Sequence, residues 1–94
     1  MDSIASDLWS IEQSLAQEII KLDFTDSKVR YLLNPLEYCQ APHLQYLTKY
    51  LTGPRPVLCL GLNPGPWGMG QTGVPFGEVT HCQNFLNISG ESLH

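Results

Sequence analysis

Asn63 stands directly after an unbroken apolar run, Val57-Leu58-Cys59-Leu60-Gly61-Leu62, and opens a stretch crowded with glycine and proline, NPGPWGMGQTGVPFG, that ends at Gly77. These residue types share a chemistry. Glycine lets backbone approach a ligand closely with its N–H groups exposed. Pro64 and Pro66 stiffen the turn. Phe76 supplies a flat face for stacking, and Asn63 places a polar amide at the lip. Together they describe a preformed ligand pocket. Neither GxxxxGK[ST] nor a GxGxxG opening a helix is present, so this is not a phosphate cradle of either kind. On spacing alone, a Gly/Pro stretch after a strand is equally a plain connection, and both readings stay open here. His43 and His81 are the candidate acids outside this stretch, and each reads more simply as structural or solvated. Cys39, Cys59 and Cys82 are odd in number and form no CxxC pair, which spells neither a disulfide framework nor a zinc site and suggests buried thiols. Asn87-Ile88-Ser89 fits the glycosylation pattern, but no secretory signal accompanies it, so it reads as coincidence.

The elements that must position Asn63 follow from periodicity. Leu8, Ile11, Leu15, Ile19 and Leu22 recur at spacings of three and four, which predicts an amphipathic helix from about Ser6 to Leu22. A looser segment through Asn34-Pro35 comes next. A second helix starts near Ala41-Pro42, carries Leu44, Leu47 and Leu51 on its apolar stripe, and stops at Gly53-Pro54. The run Val57 to Leu62 is short, continuous and non-alternating, the pattern of a strand buried on both faces of a parallel sheet. The loop after it holds Trp67, Met69, Val74 and Phe76, which argue for ordered packing rather than disorder. A last helix fits Glu78 to Ile88, with Val79, Cys82, Phe85 and Leu86 inward. The order of helix, helix, first strand, loop and helix predicts an α/β fold. Ligands bind beyond the carboxyl ends of strands in such sheets, which is where Asn63 stands. Only one convincing strand is found, and a sheet needs more, so the chain reads as an incomplete domain.

Composition narrows the class. The chain has 94 residues, 43% hydrophobic and 15% charged, too apolar for a disordered chain. No apolar run approaches the roughly 20 residues of a membrane span. The opening MDSIASDLWS lacks the basic start of a secretory signal. Nine acidic and five basic residues give a net charge of −4, with no basic patch of the kind that grips phosphates.

The words of the loop carry a resemblance. Gly61-Leu62-Asn63-Pro64-Gly65-Pro66-Trp67-Gly68-Met69, followed by Gln71-Thr72-Gly73-Val74-Pro75-Phe76-Gly77-Glu78-Val79, closely resembles the first motif of the single-strand-selective monofunctional uracil-DNA glycosylases, one family of the uracil-DNA glycosylase superfamily. It extends upstream through Asn34-Pro35-Leu36-Glu37-Tyr38, Pro42-His43 and Tyr46-Leu47-Thr48-Lys49-Tyr50. It covers about Ile11 to Val79 and fades beyond, leaving His81 to His94 as a stretch that diverges. The G-x-N-P-G piece is shared with mismatch-specific relatives, whereas TGVPFGEV is particular to this family.

That resemblance implies an α/β/α sandwich with a central parallel sheet, of which residues 1–94 are the N-terminal portion. It implies a nuclear hydrolase of base-excision DNA repair, monomeric when full length, needing no metal or organic cofactor. Its partner is DNA, single- or double-stranded, that contains uracil or an oxidised pyrimidine. The bond cut joins the base to its deoxyribose, with uracil and 5-substituted uracils such as 5-hydroxymethyluracil as substrates. Asn63 matches the catalytic asparagine. An amide does not accept a proton at neutral pH, so its role is to orient a water by its carbonyl oxygen. Leu62 matches a position that meets the base through backbone, Phe76 the aromatic that stacks on it, and Gly65 a position that leaves room at C5. Met69 lies in the same loop, and Trp67 stands where phenylalanine is the commoner residue. Each residue has a plainer role available: Leu62 as core, Phe76 as loop packing, Asn63 as a turn cap. The resemblance also requires a second asparagine, a His-Pro-Ser-Pro-type loop and a duplex-entering wedge. None is matched in these residues, and the only His-adjacent proline is Pro42-His43. The alternative is therefore a truncated variant without glycosylase activity of its own, partly folded on its own.

Overall fold

The computed structural model describes residues 2–90. Its first helix, α1, is Ser3–Ile19, three residues earlier than its stripe predicts, because Asp2 caps it by accepting from the Ile4 N–H at 3.1 Å. A long irregular segment leads to a short α2, Pro35–Tyr38; Asn34 caps it from the Leu36 N–H and Pro35 takes the first position. Four residues are too few to show periodicity, so α2 falls within the expected looser segment, although asparagine followed by proline is a helix-start signal. A break at Cys39 leads into α3, Gln40–Tyr50. The loop after Asn63 contains the four-residue α4, Met69–Thr72, and α5 is Val79–Asn84, shorter at both ends than expected.

The core gathers on α3. Leu47 is buried beside a cluster of Val74, Cys82 and Ile88, with Tyr46 and Leu86 packed against it. The far end of the chain is tied to the same helix. Tyr50 Oη donates to the Leu86 carbonyl at 2.8 Å, Lys49 donates to the Asn87 carbonyl, and Gln45 exchanges hydrogen bonds with the Ser89 backbone. Of the side chains expected to face inward from the last helix, Cys82 is buried, but Phe85 is exposed and Ile88 is buried instead. Residues 91–94 of the expected divergent stretch lie outside the described residues.

Two expectations are corrected. First, of the α1 stripe only Leu8 is half-buried and the rest does not face the core. Ala5, Trp9, Glu12 and Ala16 form the inner row, while Ile11, Leu15 and Ile19 are exposed. The docking contact sets this: Trp9 and Glu12 meet His43 of α3, which rotates the stripe away. Second, Val57–Leu62 is not a strand, and no strand occurs among the described residues. The run is exposed along its whole length, up to 103% at Leu62. Its backbone makes no hydrogen bond to other described backbone. A strand exists only by pairing, and a parallel strand needs neighbours at its edges. The expected α/β layering is therefore not seen among the described residues, whose regular elements are all helices. Cys39 and Cys82 are buried as expected, but Cys59 is exposed because it rides on this uncovered run. The radius of gyration, 14.1 Å, exceeds the about 12 Å of a compact domain of this length.

Candidate active site

The loop from Asn63 to Gly77 is ordered by its own backbone. A turn closes with Gly68 N–H on the Gly65 carbonyl at 3.3 Å, and Gly70 N–H reaches the same oxygen at 2.8 Å. The approach is so close that a Cβ on Gly70 would lie 2.5 Å from that oxygen. Helix α4 then ends at Gly73, whose φ of +71° is the left-handed conformation that closes many helices. Thr72, fully buried, pins the turn beyond α4. Its Oγ1 donates to the Gly77 carbonyl at 2.8 Å and accepts from the Val74 N–H at 3.1 Å.

Val74-Pro75-Phe76-Gly77 is a tight turn, with Gly77 N–H on the Val74 carbonyl at 2.8 Å. Proline suits its second position. The third position has positive φ, which favours glycine, yet Phe76 occupies it at φ 58°. A bulky residue held in that region is strained, and such strain is concentrated at functional sites. The consequence is that Phe76 projects outward, 71% exposed. Its ring edge comes 3.4 Å from where a Cβ on Gly61 would stand. The ring therefore lies against the end of the apolar run, two residues before Asn63.

Asn63 is exposed, and its amide makes no hydrogen bond to the described residues, so it does not act as a turn cap here. Leu62 is fully exposed, at 103%, and is not core. Nothing lies within 4 Å of a Cβ placed on Gly65. Met69 opens α4, half-buried. Phe76 is thus brought to the run that ends at Leu62, just before Asn63, while Asn63, Leu62, Gly65 and Met69 line neither of two clefts among the described residues. One cleft, of about 280 Å³, lies between α1 and residues 32–37. The other, of about 610 Å³, is bounded by Glu12, His43, Tyr46, Leu58 and Phe76 among others, and lies behind the apolar run.

Sequence reasoning missed the residues that support the loop. Tyr38 Oη donates to the Gly70 carbonyl at 2.5 Å, Cys39 Sγ to the Gln71 carbonyl at 3.3 Å, and His43 Nδ1 lies 2.7 Å from the Gly73 carbonyl. These partners are 30 or more residues apart, and no local pattern announces them. His81 is exposed beside Glu78, the α5 cap. Backbone N–H groups of Thr80 and His81 hold the Glu78 carboxyl down at about 2. Burial pushes the Cys82 thiol up, away from nucleophilic chemistry. Among the described residues no cluster of histidine, cysteine and carboxylate side chains could hold a metal.

No family model matches the chain. Curated proteins do. A "Single-strand selective monofunctional uracil-DNA glycosylase" from Rattus norvegicus is 45% identical over 91 residues, 97% of this chain and 32% of the relative. The protein of that name from Bos taurus is 46% identical over 88 residues, and that from Mus musculus 44% over 91, each with 32% of the relative covered. The chain thus spans about a third of the length of the curated relatives it matches. The similarity runs past Val79, where the resemblance is expected to fade, and takes in most of the stretch from His81.

Proposed function

We propose that this chain, 44–46% identical along nearly its whole length to single-strand selective monofunctional uracil-DNA glycosylases, is the N-terminal portion of such an enzyme and carries one wall of its uracil pocket. The observation that supports this is the identity of 44–46% over 88–91 residues, in a chain whose loop residues fit the chemistry. The target base leaves the stack to be read, as base-modifying enzymes require. Phe76, projecting from a strained turn, stacks on it. The backbone at Leu62 meets its edge, and Met69 closes the wall. The open space at Gly65 admits a 5-substituent, so 5-hydroxymethyluracil enters with uracil. The Asn63 carbonyl oxygen aims a water at C1′. The C1′–N1 bond breaks, the base leaves with the bonding pair and later takes a proton, and the water oxygen joins C1′ and releases its proton. Positioning is what Asn63 contributes.

In the complete protein, Val57–Leu62 is the first strand of a parallel sheet inside an α/β/α sandwich. That pairing covers the run and fills the 610 Å³ cleft behind it. The DNA-gripping charge belongs to segments other than this acidic one, and the enzyme works in the nucleus. Residues 1–94 alone do not complete the reaction. Stabilising the leaving anion is often the largest catalytic contribution, and among the described residues no histidine stands beside Asn63 in the chain.

The test is a chimera in which these residues replace the corresponding third of the rat relative. It should release uracil from a single-stranded oligonucleotide, seen as alkali-labile sites. Asn63→Ala should abolish release, and the 94-residue chain alone should give none. A folded chimera that is inactive, or one indifferent to Asn63→Ala, contradicts the proposal.

A further inference from the structure

A helix end leaves carbonyls without partners, and a four-residue helix has no turn to spare for them. The end of α4 is therefore met from outside, by Tyr38, Cys39 and His43. His43 differs from the other two. Both of its ring nitrogens are engaged, and like Cys39 it is buried, at 2% exposure. Nδ1 faces the Gly73 carbonyl at 2.7 Å, and Nε2 faces Glu12 Oε2 of α1 at 2.5 Å. A carbonyl only accepts, so Nδ1 carries a hydrogen and donates it. The short Nε2 contact with Glu12 then holds one further hydrogen between ring and carboxyl. The ring is fixed at both ends and packed between Trp9, centroids 5.8 Å apart, and Tyr46, at 6.3 Å. Gly73 packs closely on the start of α3: a Cβ there would lie 2.7 Å from Cys39 Cβ and 2.9 Å from the Cys39 carbonyl oxygen.

We infer that His43, held by Glu12, is a positioning residue for the pocket wall. By donating from Nδ1 to the Gly73 carbonyl, it fixes the base of the turn from which Phe76 projects. His43 touches no substrate and acts through Gly73. Its value to catalysis rests on the reading of Phe76 as the base-stacking wall. Burial of a histidine between three aromatic and acidic neighbours would be ordinary packing. The one-sided demand of the carbonyl for Nδ1–H separates the two roles.

The test uses the ¹⁵N-labelled chain. A histidine-ring ¹H–¹⁵N spectrum should show a His43 Nδ1–H in slow exchange with solvent, and a His43 without a hydrogen on Nδ1 overturns the inference. Two variants then divide the ring. His43→Asn keeps a donor near the Nδ1 position, and His43→Gln moves it toward Nε2. Amide exchange at Val74 and Gly77 should quicken about tenfold in His43→Gln, the scale of one lost hydrogen bond, and stay within about threefold in His43→Asn. The α3 amides should be unchanged in both. Equal acceleration in the two variants, or acceleration of α3 together with the turn, means plain core packing and overturns the inference. If neither variant folds, the ring spectrum of the unaltered chain decides. Binding of a uracil-bearing oligonucleotide, with a thymine control, is read separately. If the exchange results hold but Phe76→Ala in the chimera with the rat relative binds the uracil-bearing strand as the unaltered chimera does, His43 keeps its hold on the turn and the reading of Phe76 fails.

Discussion

Residues 65–77 and residues 56–64 adjoin in the chain and carry the two sides of one candidate site, yet they are built in opposite ways. The first segment closes its own turns, buries Thr72 and Val74, and receives side-chain hydrogen bonds from Tyr38, Cys39 and His43. The second is more apolar, but it is exposed and has no backbone hydrogen bond to the rest of the described backbone. Apolar content does not make structure without a surface to pack on. The loop satisfies its polar groups locally or on one helix, whereas a parallel strand depends on partners far away in sequence. The turn that carries Phe76 is therefore set within this chain, whereas the run before Asn63 has no backbone partner among the described residues.

The largest contrast is expected between two leucines. Leu47→Ala, in the core, should destabilise the chain by about 3 kcal/mol in urea unfolding. Leu60→Ala, on the uncovered run, should change it by less than about 0.5 kcal/mol. Equal losses would show that the run is packed after all. A smaller contrast separates two glycines. Gly73→Ala meets Cys39 and needs positive φ, so it should cost about 2 kcal/mol. Gly65→Ala has no neighbour within 4 Å and should be nearly silent in stability.

The smallest effect concerns the boundary of the anchored segment. Glu78 caps α5, and the Thr80 and His81 N–H groups favour its charged form, with the carboxyl near 2 against an ordinary 4.5. A depressed carboxylate stabilises the fold above its unfolded value, and that contribution is lost as pH falls through the folded value. The α5 cap should therefore persist from pH 4.5 down toward 2. A carboxyl ¹³C titration of Glu78 with a midpoint near 4.5 instead would mean that the cap is not formed.

The same contrast marks how far the chain can be read in advance. Leu8 to Ile19 locate α1, since helical periodicity is local, although Leu22 lies beyond its end; they do not show which row docks, because that depends on Trp9 and Glu12 meeting His43. Trp67, Met69, Val74 and Phe76 argue for an ordered loop, and the loop is ordered. The apolar run carries a strand pattern, but pairing is not local and no strand forms among the described residues. Asn34-Pro35 signals the start of α2, in a helix too short to repeat an apolar position. Phe76 at positive φ runs against turn preference, so Pro75 and Gly77 hint at a turn without revealing which residue is strained. His43 and Glu12 lie 31 residues apart, and their pairing has no signature in the chain.

The most direct test of the difference between the two segments is residue-resolved amide exchange on the 94-residue chain. Gly70, Gly73, Val74 and Gly77 should exchange at least about a hundredfold more slowly than an unstructured peptide, since their hydrogens are bonded within the anchored loop. Leu58 to Asn63 should exchange within about tenfold of the free-peptide rate. Protection of the apolar run equal to that of the loop would contradict the account, because the segment that carries Asn63 would then be structured without a sheet.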